Sequence, residues 1–210
     1  IWATPNSNGS SSNSVIATDS FNRADENPIT GNWTNGPGSW NSLQIKNNQV
    51  VGVAAAALAA AFYNAVSWPA DHYSEGQCIV GTAGVGGDGG FAVRMASGAE
   101  SCYLMDLDPD NAGPELLLVN AGVYSSLTLI ATSMPSTSTF KLEVIGDTLR
   151  MYKDGVQLGG DIVDTTHTSG NAGIFVFDSS NFSITRWAGG TPQLRQITKG
   201  TMVGSTLAST

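Results

Sequence analysis

The stretch Phe140-Lys-Leu-Glu-Val-Ile-Gly-Asp-Thr-Leu-Arg-Met-Tyr-Lys-Asp-Gly-Val-Gln-Leu158 decides the fold class. Phe140, Leu142 and Val144 alternate with Lys141 and Glu143, the two-residue period of a half-buried strand. Gly146-Asp147 turns the chain, and Leu149, Met151 and Tyr152 resume a strand. Asp154-Gly155 then supplies the left-handed residues that a two-residue hairpin needs. Three short strands joined by tight turns predict an antiparallel meander rather than the helix–strand alternation of an α/β enzyme.

The same reading extends outward. Residues 16–21 open the domain, and 43–46 and 49–53 read as a hairpin around Asn47-Asn48. Residues 72–82, 91–96 and 102–107 are expected to form a second meander, with the glycine-rich Gly84-Val-Gly-Gly-Asp-Gly-Gly90 as the tip of its first hairpin. Residues 115–120, 126–131, 172–177 and 182–187 complete about a dozen strands. The alanine-rich 54–61 favours helix by propensity but sits between strand signals, so a short helix and a tightly packed strand both stay open. Regular short strands with turns between them predict an all-β, two-sheet antiparallel sandwich. Residues 15–190 form that domain. Residues 1–14, with Asn6-Ser-Asn-Gly-Ser-Ser-Ser-Asn-Ser14, read as a low-complexity arm, and 191–210 as a second arm or an extra strand.

Composition removes several function classes. The 210 residues are 12% charged and carry a formal net charge of −8 with nine Lys and Arg and no basic run, which argues against binding nucleic acid through its phosphates. The most apolar run, residues 50–61, is too short to span a bilayer, and no signal peptide is visible before it. A surface of Gly, Ser, Thr, Ala and Asn suits an extracellular or virion protein. Two cysteines cannot make a disulfide framework. Placed on strands two apart in one sheet, Cys78 and Cys102 would lie roughly 9–10 Å from each other, beyond a bridge, so both are expected as buried free thiols.

Three segments carry a family resemblance: Asp19-Ser-Phe-Asn-Arg-Ala-Asp25 with Gly31-Asn-Trp33, the hairpin from Leu142 to Gly155, and Gly170-Asn-Ala-Gly-Ile-Phe-Val-Phe177 with Ile184-Thr-Arg-Trp-Ala-Gly-Gly190. Together they resemble concanavalin A-like (laminin G-like) jelly-roll domains, especially those of phage virion proteins and bacterial surface proteins. The resemblance covers about residues 15–190 and implies a jelly-roll sandwich. It leaves function open, because this fold hosts lectins, glycosidases, adhesion modules and structural decorations.

Chemistry is sparse. Glycosidases of this fold use paired carboxylates, and the glucanase pattern Glu-x-Asp-x-x-Glu is absent. The nearest approach is Asp106 with Asp108. With Asp110 and Asn111 they offer the hard oxygens that calcium prefers, and the resemblance to calcium-carrying lectins makes these four the candidate metal ligands. A solvated strand end and turn is the plainer reading of them. His72 and His167 stand in no metal-ligand spacing, and no Gly-x-Ser-x-Gly elbow is present. Gly84–Gly90 lacks the following helix that a phosphate cradle requires. Aromatic rings stack on sugar faces while carboxylates take hydroxyls, which singles out Trp40, Tyr63, Trp68 and Asp71 as a candidate carbohydrate site. Trp33 and Trp187 are expected in the core.

These readings converge on a non-enzymatic virion or cell-surface structural protein, a capsid decoration or tail-fibre module with glycan adhesion. Its partners would be copies of itself or other capsid and tail proteins, bound through the arms, together with surface glycans; neither nucleic acid nor a membrane span enters. The alternative is a carbohydrate-binding module of a secreted enzyme or adhesin, with a glycosidase or lyase third. No cofactor is required, calcium being the one ion the residues would suit.

Overall fold

The computed structural model describes residues 14–53, 57–178 and 181–192. In chain order the strands are β1 (Ser14–Asp19), β2 (Trp33–Asn35), β3 (Leu43–Lys46), β4 (Gln49–Gly52) and β5 (Leu58–Tyr63). They continue with β6 (His72–Ile79), β7 (Asp88–Met95), β8 (Cys102–Asp106), β9 (Glu115–Asn120) and β10 (Val123–Leu129). The last five are β11 (Thr139–Ile145), β12 (Thr148–Lys153), β13 (Val156–Val163), β14 (Asn171–Phe177) and β15 (Ser183–Thr191).

Two antiparallel sheets result. The first runs β13-β12-β11-β6-β15-β4-β3, with β1 also paired to β15, and the second runs β10-β9-β8-β7-β14-β5-β2. This is an all-β, two-layer jelly-roll sandwich. The meander at residues 140–158 is present as read: Phe140, Leu142, Val144, Leu149 and Met151 face the core, while Lys141, Glu143, Arg150 and Tyr152 face outward. Asp154 and Gly155 both take positive φ, 51° and 77°, between the paired Lys153 and Val156. That is the twist a two-residue hairpin requires.

The resemblance motifs now have physical roles. Asp19 accepts hydrogen bonds from Trp33 Nε1 at 2.8 Å, from the Phe21 backbone N–H at 2.7 Å and from Arg23 Nη1 at 2.8 Å. One carboxylate thus ties the opening segment to the core tryptophan. Trp33 and Trp187 lie 4.8 Å apart edge to face, and Trp187 Nε1 donates at 2.8 Å to Ser74 Oγ, which in turn donates to the Gly173 carbonyl of the opposite sheet. Such a ring pair contributes about 0.5–1.5 kcal/mol beyond burial.

Three expectations change. Residues 72–107 are not one meander, because β6 belongs to the first sheet and β7 and β8 to the second. The stretch from 80 to 87 is therefore a crossover between layers, with Gly84, Gly86 and Gly87 at φ 80°, 78° and 92°, while 88–90 already belong to β7. Cys78 and Cys102 are both buried free thiols, as expected, but because their strands lie in different sheets rather than two apart in one. Residues 58–63 form a strand, with Ala59 and Ala61 facing the core and Ala60 the other side. Packing between β14 and β2 overrides alanine's helix propensity there. Residues 54–56 lie outside the described residues. So do 1–13 and 193–210, on which most of the two expected arms fall; Ser14 and Thr191, at the inner ends of those arms, pair with each other.

Candidate functional site

Each strand of the second sheet has two faces, and here both are apolar. Residues Phe91, Tyr103, Met105 and Ile174 face the core between the sheets. The alternate positions Phe62, Ala92, Leu104, Val119 and Phe175 form a second apolar cluster on the outer face, together with Trp40 from the segment after β2. A sheet face directed away from the core is normally polar in an antiparallel sandwich. An apolar one marks an interaction surface.

A cleft of about 350 Å³ opens on this face. Phe175 and Phe177 of β14 lie on one side of it, and Leu104 and Leu117 of β8 and β9 form its floor. Tyr124 of β10 closes the far side, held by the Trp40 indole, whose Nε1 donates to its hydroxyl at 2.9 Å. Phe177 is 38% and Tyr124 44% exposed, so both rings are open to a ligand.

Two carboxylates stand at one end. Asp106 is the last residue of β8, and Asp88 begins β7 next to it. Burial, then the neighbouring Asp108, Asp178 and Asp110, push the Asp88 carboxyl up to about 7. Burial, then Asp88, Asp108 and Glu115, push Asp106 well above the usual carboxylate range. Asp106 is 8% exposed, and its Oδ1 has no hydrogen-bond partner.

The larger cleft, about 550 Å³, lies on the outer face of the first sheet beside Asp19, Glu75 and Arg186. Of its lining, Arg186 donates to Thr139 Oγ1 at 3.1 Å, and an ion-pair network lies on the same sheet. Glu143 takes Lys141 Nζ at 2.8 Å, the Tyr152 hydroxyl at 3.0 Å and Arg150 at 3.6 Å, and Arg150 also forks onto Asp161 at 2.7 Å. Asp19 is occupied by Trp33, Phe21 and Arg23. The smaller cleft is distinguished by an orphaned buried carboxylate oxygen beside open rings.

The structure does not gather the four carbohydrate candidates. Trp40 borders the cleft. Tyr63 faces the core, where it stacks on Trp187 at 5.1 Å and accepts Asn32 Nδ2 at 2.9 Å. Trp68 packs on Tyr63 and Trp187 and donates to the Tyr63 carbonyl at 2.8 Å. Asp71 accepts the Gly146 N–H at 2.8 Å, remote from Trp40 in the fold. Of the four calcium candidates, Asp108 lies close enough to Asp106 to raise its pKa, and each has its own setting. Asp106 lines the cleft, Asp108 caps the Asp110 N–H at 2.8 Å, Asp110 accepts the Gly84 N–H, and Asn111 donates to Glu115 at 3.3 Å. Among the described residues no three carboxylate, histidine or cysteine side chains converge on a metal position.

His72 and His167 play structural parts. His72 Nε2 accepts the Arg94 N–H at 3.0 Å while Nδ1 donates to the Pro69 carbonyl at 2.7 Å, and burial pulls its pKa down to about 4. His167 Nε2 bonds the Val119 carbonyl at 2.7 Å.

Asp88, Tyr124, Phe175 and Phe177 did not stand out in the sequence as site residues. Alternation along residues 171–177 places Phe175 and Phe177 on one side, opposite Ile174 and Val176, and was the one usable signal. Asp88 was masked by its glycine-rich surroundings.

The chain has the concanavalin A-like jelly-roll fold. No family model matches the sequence, and no curated protein matches it. Solved structures do. A carbohydrate-binding module, CBM66 from Bacillus subtilis, superposes with a TM-score of 0.58 at 19% identity over 74% of this chain and 94% of that one. SCLam, a non-specific endo-beta-1,3(4)-glucanase from family GH16, gives 0.54 at 11% identity over 84% and 90%. The exoplasmic/lumenal domain of VIP36, in a Ca2+/Man-bound form, gives 0.54 at 11% over 85% and 86%. Among the described residues no helix is long and apolar enough to cross a membrane.

Proposed function

We propose that this chain is a non-enzymatic glycan-binding module of an extracellular or virion-surface protein, and that it binds sugar in the outer cleft of the second sheet. The observation that carries the reading is the cleft itself. Exposed Tyr124 and Phe177 offer ring faces for a pyranose, and Asp88 and Asp106 beside them offer acceptors for its hydrogen-bond donors. The fold's occurrence in a carbohydrate-binding module and in a mannose-bound lumenal domain supports it.

The outer face of β8 supports binding rather than turnover. Its outward positions are Cys102, Leu104 and Asp106, so a leucine stands two residues before the one carboxylate. The strand lacks the Glu-x-Asp-x-x-Glu pattern of the glucanases. The reading needs no resident metal ion.

A glycan array probed with the full chain tests the reading. Binding should be lost in Phe177→Ala and Tyr124→Ala proteins that still unfold in one cooperative transition. An empty array, or binding untouched by both changes, defeats it; hydrolysis of a bound polysaccharide that disappears in Asp106→Asn restores the enzyme reading. The finer role, a capsid decoration or tail-fibre module, rests on the resemblance of the opening segment. It predicts that removing residues 1–13 and 193–210 keeps the melting transition and abolishes self-association in sedimentation, and assembly that persists without them counts against it.

A further inference from the structure

The cleft gathers carboxyl groups with no cation beside them. Asp106 enters from β8, Asp88 from β7, and Glu115 of β9 sits directly across the ladder from Asp106. No lysine, arginine or histidine lines the cleft. None of the ion pairs among the described residues includes Asp88, Asp106 or Glu115. The Leu107 N–H is the backbone donor near the Asp106 carboxyl, and Asp106 Oδ1 has no partner. Buried polar groups are otherwise satisfied in folded proteins. Asp106 Oδ1 is the single exception found among the described side chains.

A ligand that completes this site must bring a donor and positive charge on an apolar body. A sugar hydroxyl would satisfy the oxygen and leave the acidity of the site unbalanced. A uronic acid would add to it. A divalent cation needs more converging oxygens than the described residues supply. An ammonium group meets both demands, and charge-assisted hydrogen bonds are roughly twice as strong as neutral ones. It also gains from the low dielectric of walls built by Leu104, Leu117 and Phe175.

We propose that the cleft selects an amino sugar, a pyranose bearing a free protonated amine, with the ammonium held between Asp106 and Asp88 and the ring laid against Tyr124 and Phe177. This rests on the glycan-binding reading and gives it a substrate class. Acetylation of the amine removes the charge and places a bulkier amide at the carboxylates, so free-amine and N-acetylated forms of one sugar are the discriminating pair.

The experiment is calorimetric titration of the full chain with glucosamine oligomers, N-acetylglucosamine oligomers of equal length, neutral gluco-oligosaccharides and oligogalacturonate, with spermine as a sugar-free polycation. The expected result is that the free-amine oligomer binds about tenfold or more tightly than its acetylated twin. Oligogalacturonate should not bind. Asp106→Asn and Asp88→Asn should each erase the preference while retaining the melting transition. Asp161→Asn, on the other sheet, should leave it intact. Equal affinity for the acetylated or neutral oligomers overturns the amine selectivity and leaves the glycan-binding reading standing. Silence toward every sugar defeats that reading and this one with it. Spermine matching the amine oligomer, or a preference that survives Asp106→Asn, reduces the effect to the chain's net negative charge and overturns the proposal.

Discussion

The Trp40 indole N–H donates to the Tyr124 hydroxyl at 2.9 Å, joining two residues 84 positions apart. Trp40 is 8% exposed and Tyr124 44%, so the tryptophan is the buried anchor and the tyrosine the presented ring. β10 pairs only with β9, which makes it an edge strand, and edge strands are mobile unless tied down. One hydrogen bond from the interior fixes the wall of the cleft.

Tyr124→Phe should therefore keep the ring and loosen its position. A neutral hydrogen bond contributes about 0.5–1.5 kcal/mol. Chemical denaturation should show a loss within that range, and calorimetry a severalfold weaker glycan affinity. Trp40→Phe should do the same through the other partner. Combined, the two changes should cost little more than one alone, because both break the same bond. Full additivity would show that the bond does not hold the wall.

Asp106→Asn should stabilise the fold. An orphaned buried acceptor costs about 1–3 kcal/mol, and the folded-state carboxyl is raised above its unfolded value. A raised carboxyl pKa means the folded state holds its proton longer than the unfolded state, so stability falls as pH rises from about 4 toward the folded pKa. The groups facing it, Asp88, Asp108 and Glu115, act in the same direction. The melting gain of Asp106→Asn should accordingly be large at pH 8 and shrink at pH 4. A gain independent of pH would mean that the carboxylate is not strained by its charge.

His72 has the opposite sign. Burial lowers its pKa from 6.5 to about 4, and its two ring nitrogens already serve the Arg94 N–H and the Pro69 carbonyl in the neutral form. Its contribution is complete above pH 6.5 and is lost as pH falls toward 4, because the unfolded chain takes up a proton that the folded chain refuses. The shift corresponds to about 3 kcal/mol. Subtracting a His72→Gln pH–stability profile from the parent's should isolate this slope, and an imidazole that titrates near 6.5 by NMR would contradict it.

Arg94 sits at φ 52°, 2% exposed, and its guanidinium donates to three backbone carbonyls: His167 at 2.6 Å, Gly146 at 2.5 Å and Ala70 at 3.3 Å. It pins three separate loops at one end of the sandwich. Arg94→Met should destabilise by about 3 kcal/mol or more, since it leaves those carbonyls without their donor. Arg94→Lys should recover only part, because a point ammonium cannot reproduce the planar fork. Urea titrations of both variants check this: a Lys variant as stable as the parent would show that charge alone matters there, and a Met variant as stable as the parent would show that the three bonds contribute nothing.

Much of the fold was legible because the signals are local. The β11–β12–β13 meander is encoded by a two-residue alternation and by Gly146-Asp147 and Asp154-Gly155, each acting on its own few neighbours. The crossover from β6 to β7 was not legible. A run of glycines permits a tight hairpin and a passage between layers equally well, and the choice is made by the strands that β6 finds on either side, β11 and β15, both distant in sequence. The candidate site fared worse for the same reason. Tyr63 and Trp68 carry the residue types of a sugar platform, but the register of β5 turns Tyr63 to the core, with Trp68 packed on it. Phe175, with the residue type of a core plug, faces outward.

By itself, then, the sequence determined that this chain is a sandwich of short antiparallel strands and that its tryptophans Trp33 and Trp187 plug the core. Those follow from periodicity, turn chemistry and the burial preferences of single residues. Only the tertiary structure decided which face each strand of the second sheet turns outward, and that Asp88, at the start of β7, would meet Asp106, at the end of β8, in one cleft with Tyr124. Cross-strand register sets those meetings, and register is fixed by the packing of the whole sheet rather than by any residue in it.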